Sequence, residues 1–177
     1  MPGGQQRTDY AVLTRVGSDV ATLAPATGRV TIGFTSFAAI DARVSPTGRN
    51  IHTWYELVSA DGAANLVNGV SLQIDPEIGP YLSVAIQGTH GEYTLSAADR
   101  ADFAAGRSVT ITLDWSTTTG RLLLDGRALL EIALQPASIT WDPTARVSVG
   151  GSATYGGGYF SIHDDALTNV EISDIQS

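Results

Sequence analysis

Apolar and polar positions alternate with a period of two along most of this chain. Val30, Ile32 and Phe34 alternate with Thr31, Gly33 and Thr35, the pattern of a strand with one buried face. The same alternation recurs at Val70-Leu72-Ile74, Leu82-Val84-Ile86, Val109-Ile111-Leu113, Val147-Val149, Phe160-Ile162 and Val170-Ile172. Thr and Val are common at these places, as a pleated, half-buried surface favours. Turn signals punctuate the runs: Asp75-Pro76-Glu77-Ile78-Gly79-Pro80, Gly88-Thr89-His90-Gly91, Ser116 to Gly120, and Asp125-Gly126-Arg127. The Asp-Gly pair is the strongest of them, because a tight hairpin needs positive φ there. Residues 65–134 therefore read as a meander of antiparallel strands. Short strands bounded by Gly, Pro, Asp and Asn predict an all-β sandwich or barrel.

One helical segment interrupts the strands. Ser96 can cap a helix over Ala97 to Ala105, Asp99 sits three residues on, and Gly106 can end it in the left-handed conformation. Its Ala-rich body is too short to stand alone and should pack on the sheet. No repeat, low-complexity tract or long linker divides the chain, so residues 1–177 are expected to form one domain, with 1–8 a candidate disordered tail.

Composition narrows the chemistry. The 177 residues include no Cys and no Lys, which removes disulfides, zinc-thiolate sites, thiol nucleophiles, Schiff-base amines and phosphate-gripping lysines. A net charge of −8 argues against nucleic acid or an anionic membrane as the main partner. The N-terminus carries no signal-type apolar run, and no stretch of the sequence is apolar for long enough to insert in a membrane. There is no Gly-x-Ser-x-Gly elbow, no His-Glu-x-x-His and no EF-hand loop. The Gly156-Gly157-Gly158 run precedes a strand instead of a helix, so it is no phosphate cradle.

From Arg107 onward the sequence resembles the concanavalin A-like lectin/glucanase superfamily, in particular its laminin-G-like branch. The resemblance is carried by Ser108 to Trp115, by Thr119 to Gly126 with its Asp-Gly ending, by Val147-Ser148-Val149-Gly150-Gly151, and by Phe160 to Ile172 with Ala166-Leu167-Thr168 before Glu171-Ile172. The pattern departs at Gly106-Arg107-Ser108, where the family often shows a Trp-His pair. The fold implied is an antiparallel jelly-roll sandwich of two sheets with about 12–14 strands. Such sandwiches host lectins, glycosidases, lyases and pure interaction modules, so the fold leaves the function open. An extracellular or cell-surface setting, as one domain of a larger protein, goes with the resemblance.

Glycanases on this scaffold use a strand reading Glu-x-Asp-x-x-Glu. None of Glu56, Glu77, Glu92, Glu131 and Glu171 has Asp at +2 or Glu at +5. A lyase would want Arg, Gln, His and Tyr on one sheet face; Arg43, Gln73, Gln87, His52 and Tyr93 supply the types without a motif. The balance leans away from an enzyme.

Sugar recognition needs an aromatic platform and planar polar side chains. Strict alternation over Ile51 to Leu57 would put His52, Trp54 and Glu56 on a polar face and Ile51, Tyr55 and Leu57 in the core. Neighbouring strands would add Ser71, Gln73 and Asp75, then Ser83 and Gln87, then Thr110, Thr112 and Asp114. Trp54 is the residue that most demands explanation on such a face. A second region combines the loops at Trp141-Asp142-Pro143, Tyr155 to Tyr159 and His163-Asp164-Asp165, though Trp141 and Tyr159 could equally plug the ends of the core. The resemblance also implies Ca²⁺ at the sandwich rim, for which Asp61, Asp142, Asp164 and Asp165 are the oxygen-ligand candidates.

The sequence thus points to a non-catalytic recognition module that binds a glycan or a cell-surface protein. A structural or adhesive sandwich without a small-ligand site is the first rival, and a buried Trp54 would favour it. A polysaccharide hydrolase or lyase is the second, favoured by two carboxylates in one cleft.

Overall fold

The alternating segments form two antiparallel sheets packed face to face. The computed structural model describes residues 15–16, 18–36, 39–40, 50–135, 138–150 and 165–174. Its strands are β1 (Arg15–Val16), β2 (Gly28–Ser36), β3 (Asn50–Val58), β4 (Leu66–Asp75), β5 (Gly79–Ile86), β6 (Thr89–Thr94), β7 (Ser108–Trp115), β8 (Thr119–Leu124), β9 (Arg127–Ala133), β10 (Arg146–Val149) and β11 (Asp165–Asp174). One sheet has six strands in the order β1-β10-β3-β4-β5-β6, and the other five in the order β11-β2-β7-β8-β9. This is the expected two-sheet jelly-roll sandwich. Helix α1 (Ala97–Asp102) connects β6 to β7 and crosses from one sheet to the other. No helix among the described residues is long and apolar enough to cross a membrane.

Alternation decides which side chains fill the space between the sheets. Val30, Ile32 and Phe34 of β2, Val109, Ile111 and Leu113 of β7, and Leu122 and Leu124 of β8 are buried from one sheet. Val70, Leu72 and Ile74 of β4 and Leu82, Val84 and Ile86 of β5 meet them from the other. The predicted meander from β4 to β9 is present, with register set by its turns. Asp125 and Gly126 both take positive φ (48° and 81°), as a two-residue hairpin requires. Gln87 and Gly88 do the same (50° and 77°), so the β5–β6 turn comes one residue earlier than the Gly88 to Gly91 reading. The two sheets close at β6 and β9 because Gly91 has no side chain: a Cβ there would lie 3.0 Å from Ile132 and 3.1 Å from Leu130.

Helix α1 is shorter than the Ala97 to Ala105 expectation but begins as foreseen. The Ser96 hydroxyl accepts from the Asp99 N–H at 3.2 Å, while the Asp99 carboxylate accepts from the Ser96 N–H at 2.9 Å, a capping box. Gly106 takes the left-handed conformation, φ 77°. Phe103, just past the helix, is fully buried, and its carbonyl accepts from the Ser36 hydroxyl at 3.0 Å. That contact ties α1 to the end of β2.

Candidate functional site

Strand β3 breaks the strict alternation. Its pairing with β4 shifts register between Thr53 and Tyr55, the mark of a bulge that inserts one extra residue. Trp54 is that residue, and it turns inward together with Tyr55. Only 2% of Trp54 is exposed. Its ring stacks on Phe34 at 4.7 Å between centroids and on Phe103 at 5.9 Å. Stacking and burial of so large an apolar surface outweigh the polar-face placement that local alternation predicts. The proposed sugar platform at Trp54 is therefore part of the core.

The other residues of that reading scatter. His52 pairs with Leu72, which is in the core cluster, so register puts His52 on the inner face as well. Glu56 does face outward, opposite Ser148 and Gly69. Ile51, expected in the core, shares that outer face through its pairing with Gln73. Gln73 accepts a hydrogen bond from the Tyr81 hydroxyl at 2.7 Å. Gln87 leaves the sheet face for the β5–β6 turn, where its N–H donates to Asn68 Oδ1 and its side chain to the Pro25 carbonyl.

This outer face is polar but closed. Thr53, Glu56, Ser71, Gln73, Tyr81 and Ser148 are all buried. The hydroxyls of Thr53 and Ser148 find no hydrogen-bond partner among the described residues. Among the described residues of this face, exposure rises at the edge strand β6, at His90, Glu92 and Thr94.

The loop candidates are partly visible. Trp141 is half-buried and packs against the core, as a plug of one sandwich end. Asp142 accepts from the Thr144 N–H and hydroxyl, which hold its carboxyl below the usual carboxylate range. Asp61 is bound by the Arg146 guanidinium, and its N–H donates to the Thr144 hydroxyl. Thr144 thus brings Asp61 and Asp142 to one rim. Two carboxylates, one already joined to an arginine, fall short of the oxygen set a calcium ion takes. Among the described residues no group of three or more His, Asp or Glu is placed to share a metal. Asp165 begins β11, whose backbone pairs with Ser36. Tyr155, Tyr159 and Asp164 lie outside the described residues.

The open polar site is on the opposite side of the molecule. At one end of the outer face of the five-stranded sheet, a cleft of about 420 Å³ is lined by Thr27, Asp114, Trp115, Ser116, Thr119, Arg121 and Glu131. Register creates it: Arg29, Asp114, Arg121 and Glu131 stand side by side on β2, β7, β8 and β9. Arg29 and Arg121 donate to the same carboxylate oxygen, Asp114 Oδ2, each at 2.9 Å. Asp114 is buried beneath them, while the two arginine side chains remain 45% and 46% exposed. The shared carboxylate oxygen ties one amino group of each guanidinium, while both side chains keep part of their surface in solvent. Trp115 closes the floor, its indole N–H donating to the Pro25 carbonyl at 2.9 Å.

Alternation placed Asp114 on a polar face, but Arg29, Arg121 and Glu131 carried no motif. The signal that could have found Arg121 is the length of the Ser116 to Gly120 turn, which fixes its pairing with Asp114.

No protein-family model matches this sequence, and none of the curated proteins does. Solved structures do share its fold. Mouse laminin alpha1 chain domains LG4-5 superpose with a TM-score of 0.53 at 14% identity, over 93% of this chain and 39% of that one. The Ruminococcus gnavus IT-sialidase CBM40 gives 0.52 at 10% identity, over 88% and 81%. A single-residue variant of human galectin-16 gives 0.50 at 10% identity, over 94% and 96%. At these identities the likeness speaks for architecture: this chain has the concanavalin A-like lectin/glucanase fold.

Proposed function

We propose that this sandwich is a non-catalytic recognition module that holds a glycan in the cleft above β7 and β8, within a larger extracellular or cell-surface protein. The observation that carries the reading is the Asp114–Arg121 pair in the cleft, with Arg29 beside it on the same carboxylate oxygen and the hydroxyls of Thr27, Ser116 and Thr119 around it. Each sugar hydroxyl both donates and accepts, so a wall of fixed donors interleaved with acceptors suits it. Donors already locked in place lose little entropy on binding.

A glycan array probed with the protein, once with Ca²⁺ and once with EDTA, tests this. Binding to a defined oligosaccharide is expected, with Arg121→Ala weakening it on the order of tenfold or more. Loss of binding in EDTA would support Ca²⁺ at the rim with ligands beyond Asp61 and Asp142. An array without hits in either condition would reject the glycan reading.

The burial of Trp54 supports a second reading, a structural or adhesive domain whose ligand is another protein. The enzyme alternative draws on Asp114 and Glu131 lining one cleft. However, Asp114 already anchors two guanidiniums and Arg121 stands between the two acids. Release of reducing ends from a bound oligosaccharide would bring that alternative forward.

A further inference from the structure

The charges along the cleft are not all used in the same way. Arg121 is the direct cross-strand neighbour of both Asp114 and Glu131, yet its guanidinium goes to Asp114. Glu131 is exposed at the cleft wall and makes no ion pair among the described residues. Without Glu131, the group Arg29, Asp114 and Arg121 carries two positive charges against one negative, a seat for an anion. With Glu131 the four charges cancel.

We infer that Glu131 is a specificity-determining residue, a charge filter that admits neutral glycans to the cleft and turns away those bearing carboxylates or sulfates. The inference rests on the glycan reading of the same cleft. An anionic sugar drawn to the solvent-exposed part of Arg121 would bring its charge beside the Glu131 carboxylate on the next strand. Like charges at that spacing oppose binding, and salt weakens the opposition. The overall charge of −8 acts in the same direction at longer range. A neutral sugar meets no such opposition and can donate hydroxyl hydrogens to Glu131 while accepting from the arginines. Glu131 therefore discriminates by what it repels, a common basis of specificity.

The test measures binding of neutral tetrasaccharides of glucose, galactose and mannose, and of a tetrasaccharide of galacturonic acid, by calorimetry at low and high salt. The proteins are the wild-type chain, Glu131→Gln and Glu131→Lys; residue 131 is exposed on an edge strand, so both variants should fold, which circular dichroism checks. The wild type is expected to bind a neutral tetrasaccharide in preference to the acidic one. The ratio of acidic to neutral affinity should rise on the order of tenfold in Glu131→Gln and further in Glu131→Lys, and the gain should shrink at high salt. A wild type that holds the acidic probe as well as a neutral one overturns the filter. So does a ratio unchanged across the three proteins. In both cases neutral binding leaves the glycan reading standing. If no protein of the set binds any probe, the glycan reading of the cleft and the filter fall together.

Discussion

Trp54 and Tyr55 are adjacent residues of one strand, and both turn inward at its bulge. Trp54 packs against both Phe34 and Phe103, which also touch each other, so its role is packing. Trp54→Ala should destabilise the fold by about 3–5 kcal/mol, as large-to-small core changes do, and chemical unfolding would show it. A stable Trp54→Ala protein that had lost ligand binding would instead return the residue to a binding face. Tyr55 is buried from end to end, and burial pushes its phenol far above the usual range. Its hydroxyl has no hydrogen-bond partner among the described residues. Leaving a buried donor unmatched costs free energy that deleting it recovers. Tyr55→Phe is therefore expected to stabilise the chain by about 1 kcal/mol, seen as a higher melting temperature, whereas a lower one would mean that the hydroxyl does useful work.

Helix α1 shows how a short element is held by charge as well as by its cap. Asp99 is buried at the helix start and receives the Ser96 N–H and hydroxyl, the Tyr93 hydroxyl at 3.0 Å and the Arg127 guanidinium at 2.8 Å. Arg127 also reaches Asp102, and Arg107 pairs with Asp102 in turn. Burial raises the Asp99 pKa, but the hydrogen bonds from Ser96, Arg127 and Tyr93 outweigh it and bring it from 3.8 down to about 2. A carboxyl whose pKa is depressed on folding adds stability above its unfolded pKa and loses it as the pH falls through the folded value. This contribution should be complete above about pH 4 and fade between about 4 and 2. Urea midpoints measured from pH 6 to pH 2 should fall over that interval, and Asp99→Asn should start lower and show a shallower acid limb. An acid limb of unchanged depth in the variant would remove Asp99 from the account.

At the scale of the whole molecule, the two outer faces of the sandwich differ in access. The face of the six-stranded sheet is polar yet buried over β10, β3 and β4. The face of the five-stranded sheet carries an open cleft where Arg121 is paired with Asp114. If the cleft is where ligand binds, Arg121→Ala should abolish the rise in melting temperature that saturating glycan gives the wild type. A rise that persists in Arg121→Ala would place the ligand elsewhere.

The inward sets of β2, β4, β5 and β7, the Asp125-Gly126 hairpin and the Ser96 cap could all be read from the sequence. All of these are local: alternation, left-handed φ and capping act over a few residues, and nothing distant had to intervene. The tertiary structure decided the rest of the site. A single bulge reversed the facing of Trp54, because stacking on Phe34 and Phe103, residues remote in sequence, outweighed local alternation. Cross-strand register assembled Arg29, Asp114, Arg121 and Glu131 from four strands into one row. Turn lengths and sheet order set that register, and the order of strands in a sheet is fixed only when both sheets pack around a common core.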